Sequence, residues 1–98
     1  MNTLFLTAES IEFDFDRAKR AADAVARVLL GECVCMSWYD RILNREAPAH
    51  VSECHDDSCE LPGYVDYARS RGAELAVDVC GGDYVFCYRP LGEFADDA

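Results

Sequence analysis

The stretch ELAVDVCGGDYVFCYR, residues 74–89, decides the fold. Two runs rich in valine and aromatic residues flank Gly81-Gly82. That pair suits a two-residue primed turn, because both turn positions need positive φ. Folding there pairs Cys80 with Asp83 and carries on to Glu74 opposite Arg89. In this register Leu75, Val77, Val79, Tyr84, Phe86 and Tyr88 share one face. Glu74, Ala76, Asp78, Cys80, Asp83, Val85, Cys87 and Arg89 share the other. A slip of one residue would scatter the first row, so the side chains themselves specify the register. Pro90 ends the second strand, and the acidic tail after Phe94 is expected to fray.

Upstream of the hairpin, Pro62 at a first helical position, Tyr64, Val65 and Ala68, and Gly72 as the stop describe a short helix. Residues 42–61 read as irregular, with a short strand around Val51. Before them ECVCMSWYDR, residues 32–41, reads as a strand with Cys33, Cys35, Ser37 and Tyr39 on one face. Val34, Met36 and Trp38 fall on the other; both rows are largely apolar, so layers are expected on both sides. Further upstream, Ala18, Ala21, Ala22, Val25, Val28 and Leu29 recur at helical spacing. Asp14 is placed to cap that helix, Phe13 and Ala18 to staple it, and Gly31 to end it. Residues 2–7 read as the first strand, and Ile11, Phe13 and Phe15 alternate as an extended approach to the helix. The order is β-α-β-loop-α-β-β in one domain spanning residues 1–98. The expected class is α+β, with two helices packed on one face of a small mixed, mainly antiparallel sheet. The other face, carrying Ala76, Val85 and Cys87, would then be bare. A homo-oligomer through that face is the corresponding expectation, and a charge at Val85 or Cys87 should break it.

Nine Lys and Arg against nineteen Asp and Glu leave a formal charge of −10. The first half, 1–49, holds eight acids and six bases, and the second half eleven acids and three bases. Such a surface argues against a nucleic-acid backbone or an anionic membrane as partner, since both call for clustered cations. The four bases at Arg17, Lys19, Arg20 and Arg27 read as the solvated face of their helix. The opening MNTLFLTAESIEF has no positive charge before Arg17 and no apolar run beyond Leu4-Phe5-Leu6. It reads as neither a signal peptide nor a transmembrane segment, so a cytoplasmic location is expected.

Six cysteines fall at 33, 35, 54, 59, 80 and 87. The hairpin register sets Cys80 and Cys87 too far apart to bond, and Cys33-x-Cys35 shares a strand face about 7 Å apart. These four read as core thiols. The stretch HVSECHDDSC, residues 50–59, gathers both histidines and two cysteines. Thiolates and neutral imidazoles are what Zn²⁺ selects, and His50, Cys54, His55 and Cys59 are enough to close a tetrahedral site. Asp56 and Asp57 are placed to orient the imidazoles or to stand in as ligands. Against that stand a C-x4-C spacing at the loose end of structural zinc patterns and the plainer reading of an acidic surface loop. A third reading makes Cys59 a reactive or redox thiol near a helix start, paired with Cys54. At 38–41, Trp38, Tyr39, Asp40 and Arg41 suggest either a small aromatic and charged pocket or a core Trp beside a surface Asp–Arg pair. Phosphate-cradling, dinucleotide, zinc-protease and nucleophile-elbow signatures are absent.

The segments SWYDR (37–41), HVSECHDDSCELPGYVDYARSRGAEL (50–75) and FCYRPL (86–91) together resemble a family of small uncharacterised prokaryotic proteins, classed as a domain of unknown function. The resemblance covers most of the chain and implies a stand-alone intracellular domain. It supplies no activity, cofactor or catalytic residue. Two function classes follow. The favoured one is a small non-catalytic binding or assembly module, homo-oligomeric and without a cofactor. The alternative is a metal-binding or thiol-redox protein using the loop 50–59, with zinc or another transition metal as its ion.

Overall fold

The computed structural model describes residues 1–49 and 63–91. Seven elements follow in the order β1 (Asn2–Leu6), α1 (Phe15–Leu30), β2 (Cys33–Asp40), β3 (Arg45–Ala47), α2 (Gly63–Ser70), β4 (Leu75–Val79) and β5 (Tyr84–Pro90). They form an α+β domain with one open five-stranded sheet in the order β1-β4-β5-β2-β3. The sheet is mixed: β1 runs parallel to β4, and every other neighbouring pair is antiparallel.

The hairpin folds in the register its side chains demand, from Leu75 opposite Tyr88 to Val79 opposite Tyr84. Its turn is wider than expected. Pairing stops at Val79 and Tyr84, and Cys80 joins Gly81 and Gly82 at positive φ (57°, 67° and 91°). Asp78 closes the loop from below by accepting the Gly82 N–H at 2.6 Å.

The row Leu75, Val77, Val79, Tyr84, Phe86 and Tyr88 packs against Ala18, Ala22 and Ala26 of α1. These alanines stand four apart, a strip narrow enough to bring the helix axis close to the sheet. The sequence stripe was drawn too wide, since Val28 (82% exposed) and Leu29 (55%) point to solvent. Asp14 caps the helix by accepting the Arg17 N–H at 2.8 Å, and Gly31 at φ 75° ends it. Tyr88 ties α1 to the sheet: its hydroxyl donates to Asp23 at 2.6 Å, and Lys19 donates to both oxygens of that carboxylate at 2.8 Å.

The second helix corrects the expected layering. It covers β2 and β5 from the opposite face, where Tyr64 and Ala68 bury Ala76, Val85 and Cys87. The two helices therefore do not share a face. The physical reason is that β4 and β5 are apolar on both sides, so each side needs a layer, and α1 fills only one. The face expected to be bare is closed. Val85 and Cys87 are buried, so a charge there attacks the core rather than an assembly surface. After α2 the chain leaves through two bonds, Gly72 N–H to Arg69 C=O and Ala73 N–H to Ala68 C=O. With Gly72 at φ 92°, these form a Schellman end, and Ala68 and Ala73 supply its apolar contact.

The strand β2 also departs from simple alternation. Against β5 it pairs Cys35 with Tyr88 but Ser37 with Cys87, so Met36 is one residue too many. This bulge turns Met36, Ser37 and Tyr39 toward α2, while Cys33, Cys35 and Trp38 face α1. The faces read by strict alternation therefore hold only up to Met36. The short β3 lies at Arg45–Ala47, where an irregular segment was expected; Val51 is outside the described residues.

Candidate interaction site at the open sheet edge

Among the described residues the sheet ends at β1 on one side and β3 on the other, and the two edges differ. The edge at β3 is three residues long, carries Arg45 and Glu46, and runs directly into Pro48. Short length, charge and proline are the usual devices against edge-to-edge pairing. Asp40 fixes this edge from inside: it is 1% exposed, accepts the Leu43 N–H at 3.1 Å and pairs with Arg45 at 3.2 Å. The Asp–Arg surface pair expected within 38–41 does not form. Asp40 is buried and pairs with Arg45, while Arg41 pairs with Asp83 across the hairpin turn. Trp38 is half-buried and packs against the α1-side core, its ring 4.6 Å from that of Phe15.

The edge at β1 has none of these guards. Its sequence is NTLFL, five residues without a charge, a proline or a bulge. The N–H of Asn2 donates to Glu74 C=O at 2.9 Å, and Leu6 C=O accepts from Cys80 N–H at 2.8 Å. Parallel pairing alternates, so Asn2, Leu4 and Leu6 spend their main-chain groups on β4. Thr3 and Phe5 aim their N–H and C=O groups outward. Among the described residues no strand lies beside them. Leu4 and Leu6 pack into the α1-side core, which leaves Phe5 on the opposite face, 66% exposed. The sequence reading placed a strand here but did not identify it as an edge. The available signal was the uncharged opening of a chain that otherwise carries −10.

The polar groups buried between the layers hold structure. Ser37 donates to Tyr64 C=O at 2.5 Å and so joins β2 to the start of α2. Tyr39 stacks on Tyr64, ring centroids 5.3 Å apart. Burial pushes the Tyr64 hydroxyl up to about 12 and the Cys35 thiol up to about 11. It also raises Cys33 and Cys87, in Cys87 against an opposing hydrogen bond from Ser37. Tyr88 is raised by burial and by its bond to Asp23. Thiols held up in this way stay protonated at neutral pH and are poor nucleophiles. Cys33, Cys35, Cys80 and Cys87 are all free. A shallow depression of about 420 Å³ at the end of α1 is lined by Arg27, Gly31, Glu32, Cys33 and Leu91.

The four residues proposed as metal ligands, His50, Cys54, His55 and Cys59, lie outside the described residues, as do Asp56 and Asp57. Among the described residues, no group of three or more His, Cys, Asp or Glu side chains is placed to hold a metal ion. Among them, too, no helix is long and apolar enough to cross a membrane.

These features define a small α+β domain: among the described residues, an open mixed sheet with a helix on each face and an uncharged edge strand at β1. The chain belongs to the family described as Domain of unknown function (DUF5619), whose profile matches residues 1–88. Its fold is similar to the crystal structure of the novel protein AF1514 from Archeoglobus fulgidus, with a TM-score of 0.70 and 24% identity. That likeness covers 92% of this chain and 94% of the other. No curated protein matches.

Proposed function

We propose that this protein is a small cytoplasmic binding and assembly module that works without catalysis, as a homo-oligomer. The β1 edge carries the reading. It leaves four main-chain hydrogen-bonding groups and an exposed Phe5 on a sheet border that has no charge, proline or neighbouring strand among the described residues. The roles of the interior polar groups support it: buried Ser37, Asp40 and Tyr88, with half-buried Asp23, bond within the domain and hold its layers together. The assembly surface is therefore an edge, in place of the sheet face first expected. Light scattering on eluting protein, from micromolar to several hundred micromolar, is the test. A mass that stays at 10.9 kDa throughout overturns the reading.

A second reading stays with residues 50–59, because both histidines and two of the six cysteines fall within those ten positions. Zinc or another transition metal bound by His50, Cys54, His55 and Cys59, or a Cys54–Cys59 redox pair, is the corresponding proposal. Elemental analysis and thiol titration of untagged protein decide it. Stoichiometric metal that is lost in the Cys54→Ser/Cys59→Ser variant supports a metal site. A metal-free protein removes the metal form, and six thiols that stay free after treatment with a mild disulfide oxidant remove the redox form.

A further inference from the structure

We propose that two copies of this chain pair antiparallel along β1, on a two-fold axis beside Leu4, extending the sheet from five strands to ten. This rests on the assembly reading and gives it a register. The outward main-chain groups belong to Thr3 and Phe5, which stand symmetrically about Leu4. In an antiparallel ladder, two residues that face each other as a hydrogen-bonded pair exchange both N–H···O=C bonds. Thr3 opposite Phe5 of the second copy, and Phe5 opposite its Thr3, therefore satisfy all four groups on each strand. Leu4 meets Leu4 of the second copy at the closely spaced position between them, Cα atoms about 4.5 Å apart.

The side chains agree with this register. Leu4 lies on the α1 side, so the paired leucines continue the α1-side core across the axis. Thr3 and Phe5 lie on the other side. There each Phe5 sits opposite a threonine and diagonal to the other Phe5, about 7–8 Å away, within reach of an aromatic ring. The exposed ring thus gains a neighbour that none of the described residues supplies. Charge selects the same place. Two chains of −10 repel over most of their surfaces, whereas NTLFL brings no charge to the contact. The two-fold axis also closes the assembly at two copies, where a parallel, head-to-tail use of the edge would grow.

Site-resolved amide hydrogen exchange on the full chain, with light scattering on the same samples, is the test. The N–H groups of Leu4 and Leu6 are paired with β4 and stay protected at every concentration. Those of Thr3 and Phe5 are protected in the dimer and exchange freely on dilution. Phe5→Pro removes an outward N–H while leaving the β4 ladder intact, and weakens the dimer by roughly 100-fold without unfolding the domain. Thr3→Lys, which keeps every main-chain donor, gives a folded monomer as well and serves if the proline variant does not fold. A dimer whose Thr3 and Phe5 amides exchange freely, or one that survives both substitutions, overturns the register and leaves the assembly reading standing. A wild-type chain that is monomeric at all concentrations overturns both.

Discussion

The two edges of this sheet show how one domain can close one border and leave the other open. The β3 edge is short, charged, bounded by Pro48 and clamped from within by Asp40. The β1 edge is longer, neutral and regular, and its outward groups at Thr3 and Phe5 have no partner strand among the described residues. Leu4 and Leu6 of β1 pack into the α1-side core, whereas no β3 residue belongs to a core cluster, so the edge that is better anchored is also the one left open. The difference is one of protection against pairing, which natural sheets manage through charge, length and proline.

The largest effect expected from breaking the comparison comes from the inward side of the open edge. Leu4→Pro deletes a β1–β4 ladder bond and removes a side chain packed into the α1-side core. A loss of ~3 kcal/mol or more is expected, enough to unfold a marginal domain. Circular dichroism and chemical denaturation check it. One position along, Phe5→Pro should stay folded. If Leu4→Pro is as stable as Phe5→Pro, the assignment of inward and outward groups along β1 is wrong.

Next in size is the clamp of the closed edge. Asp40→Ala removes a buried carboxylate that accepts the Leu43 N–H and pairs with Arg45, which is itself half exposed. Charge-assisted hydrogen bonds of this kind contribute about 1.5–3 kcal/mol, so a loss of about 2 kcal/mol is expected. It should appear as a lower urea midpoint at an unchanged slope. Amide exchange in Arg45–Ala47 should rise first, while β1 exchange is unaffected. A uniform rise across the sheet would mean that Asp40 supports the whole core rather than its edge.

A smaller effect belongs to the interior between the sheet and its helices and should be indifferent to the β1 edge. Burial raises the Cys35 thiol from 9.0 to about 11, and the Tyr64 hydroxyl from 10.0 to about 12. In both, the neutral form is the one the fold accommodates. The stability they contribute is complete below the unfolded values and declines as pH rises, through 9 to 11 for Cys35 and 10 to 12 for Tyr64. Thermal melts from pH 8 upward should show this decline. Cys35→Ala should reduce its first part, to which the raised Cys33 and Cys87 thiols also contribute, and Thr3→Lys should leave its shape unchanged.

The difference between the edges was only partly legible in the sequence. The hairpin register could be read because a slip would have scattered six large side chains. Asp14 and Gly31 marked the ends of α1 because capping is local chemistry. What escaped depended on counting across strands. The extra residue at Met36 leaves no mark in composition, yet it reverses the faces of everything after it in β2. The side taken by α2 was recoverable in principle. Ala76, Val85 and Cys87 form an apolar row that needed a cover, and one helix remained to supply it. Strand order, and with it the identity of β1 as an edge, follows from long-range pairing that local patterns do not encode. The proposed ligands at 50–59 lie outside the described residues, so their reading still rests on residue type and spacing.

The smallest expected change in folding stability sharpens the comparison most. Phe5→Lys places at the open edge the kind of guard that β3 already has. Phe5 is 66% exposed, so the stability of the single chain should move by no more than about 0.5 kcal/mol. The assembly should nevertheless be lost, and light scattering would then report one chain at concentrations where the wild type pairs. The reciprocal change, Glu46→Thr, strips a charge from β3. If length and Pro48 are what close that edge, this variant acquires no new association. If it does associate, charge is the guard that matters at both borders, and the neutrality of NTLFL becomes sufficient by itself to explain why β1 is left open.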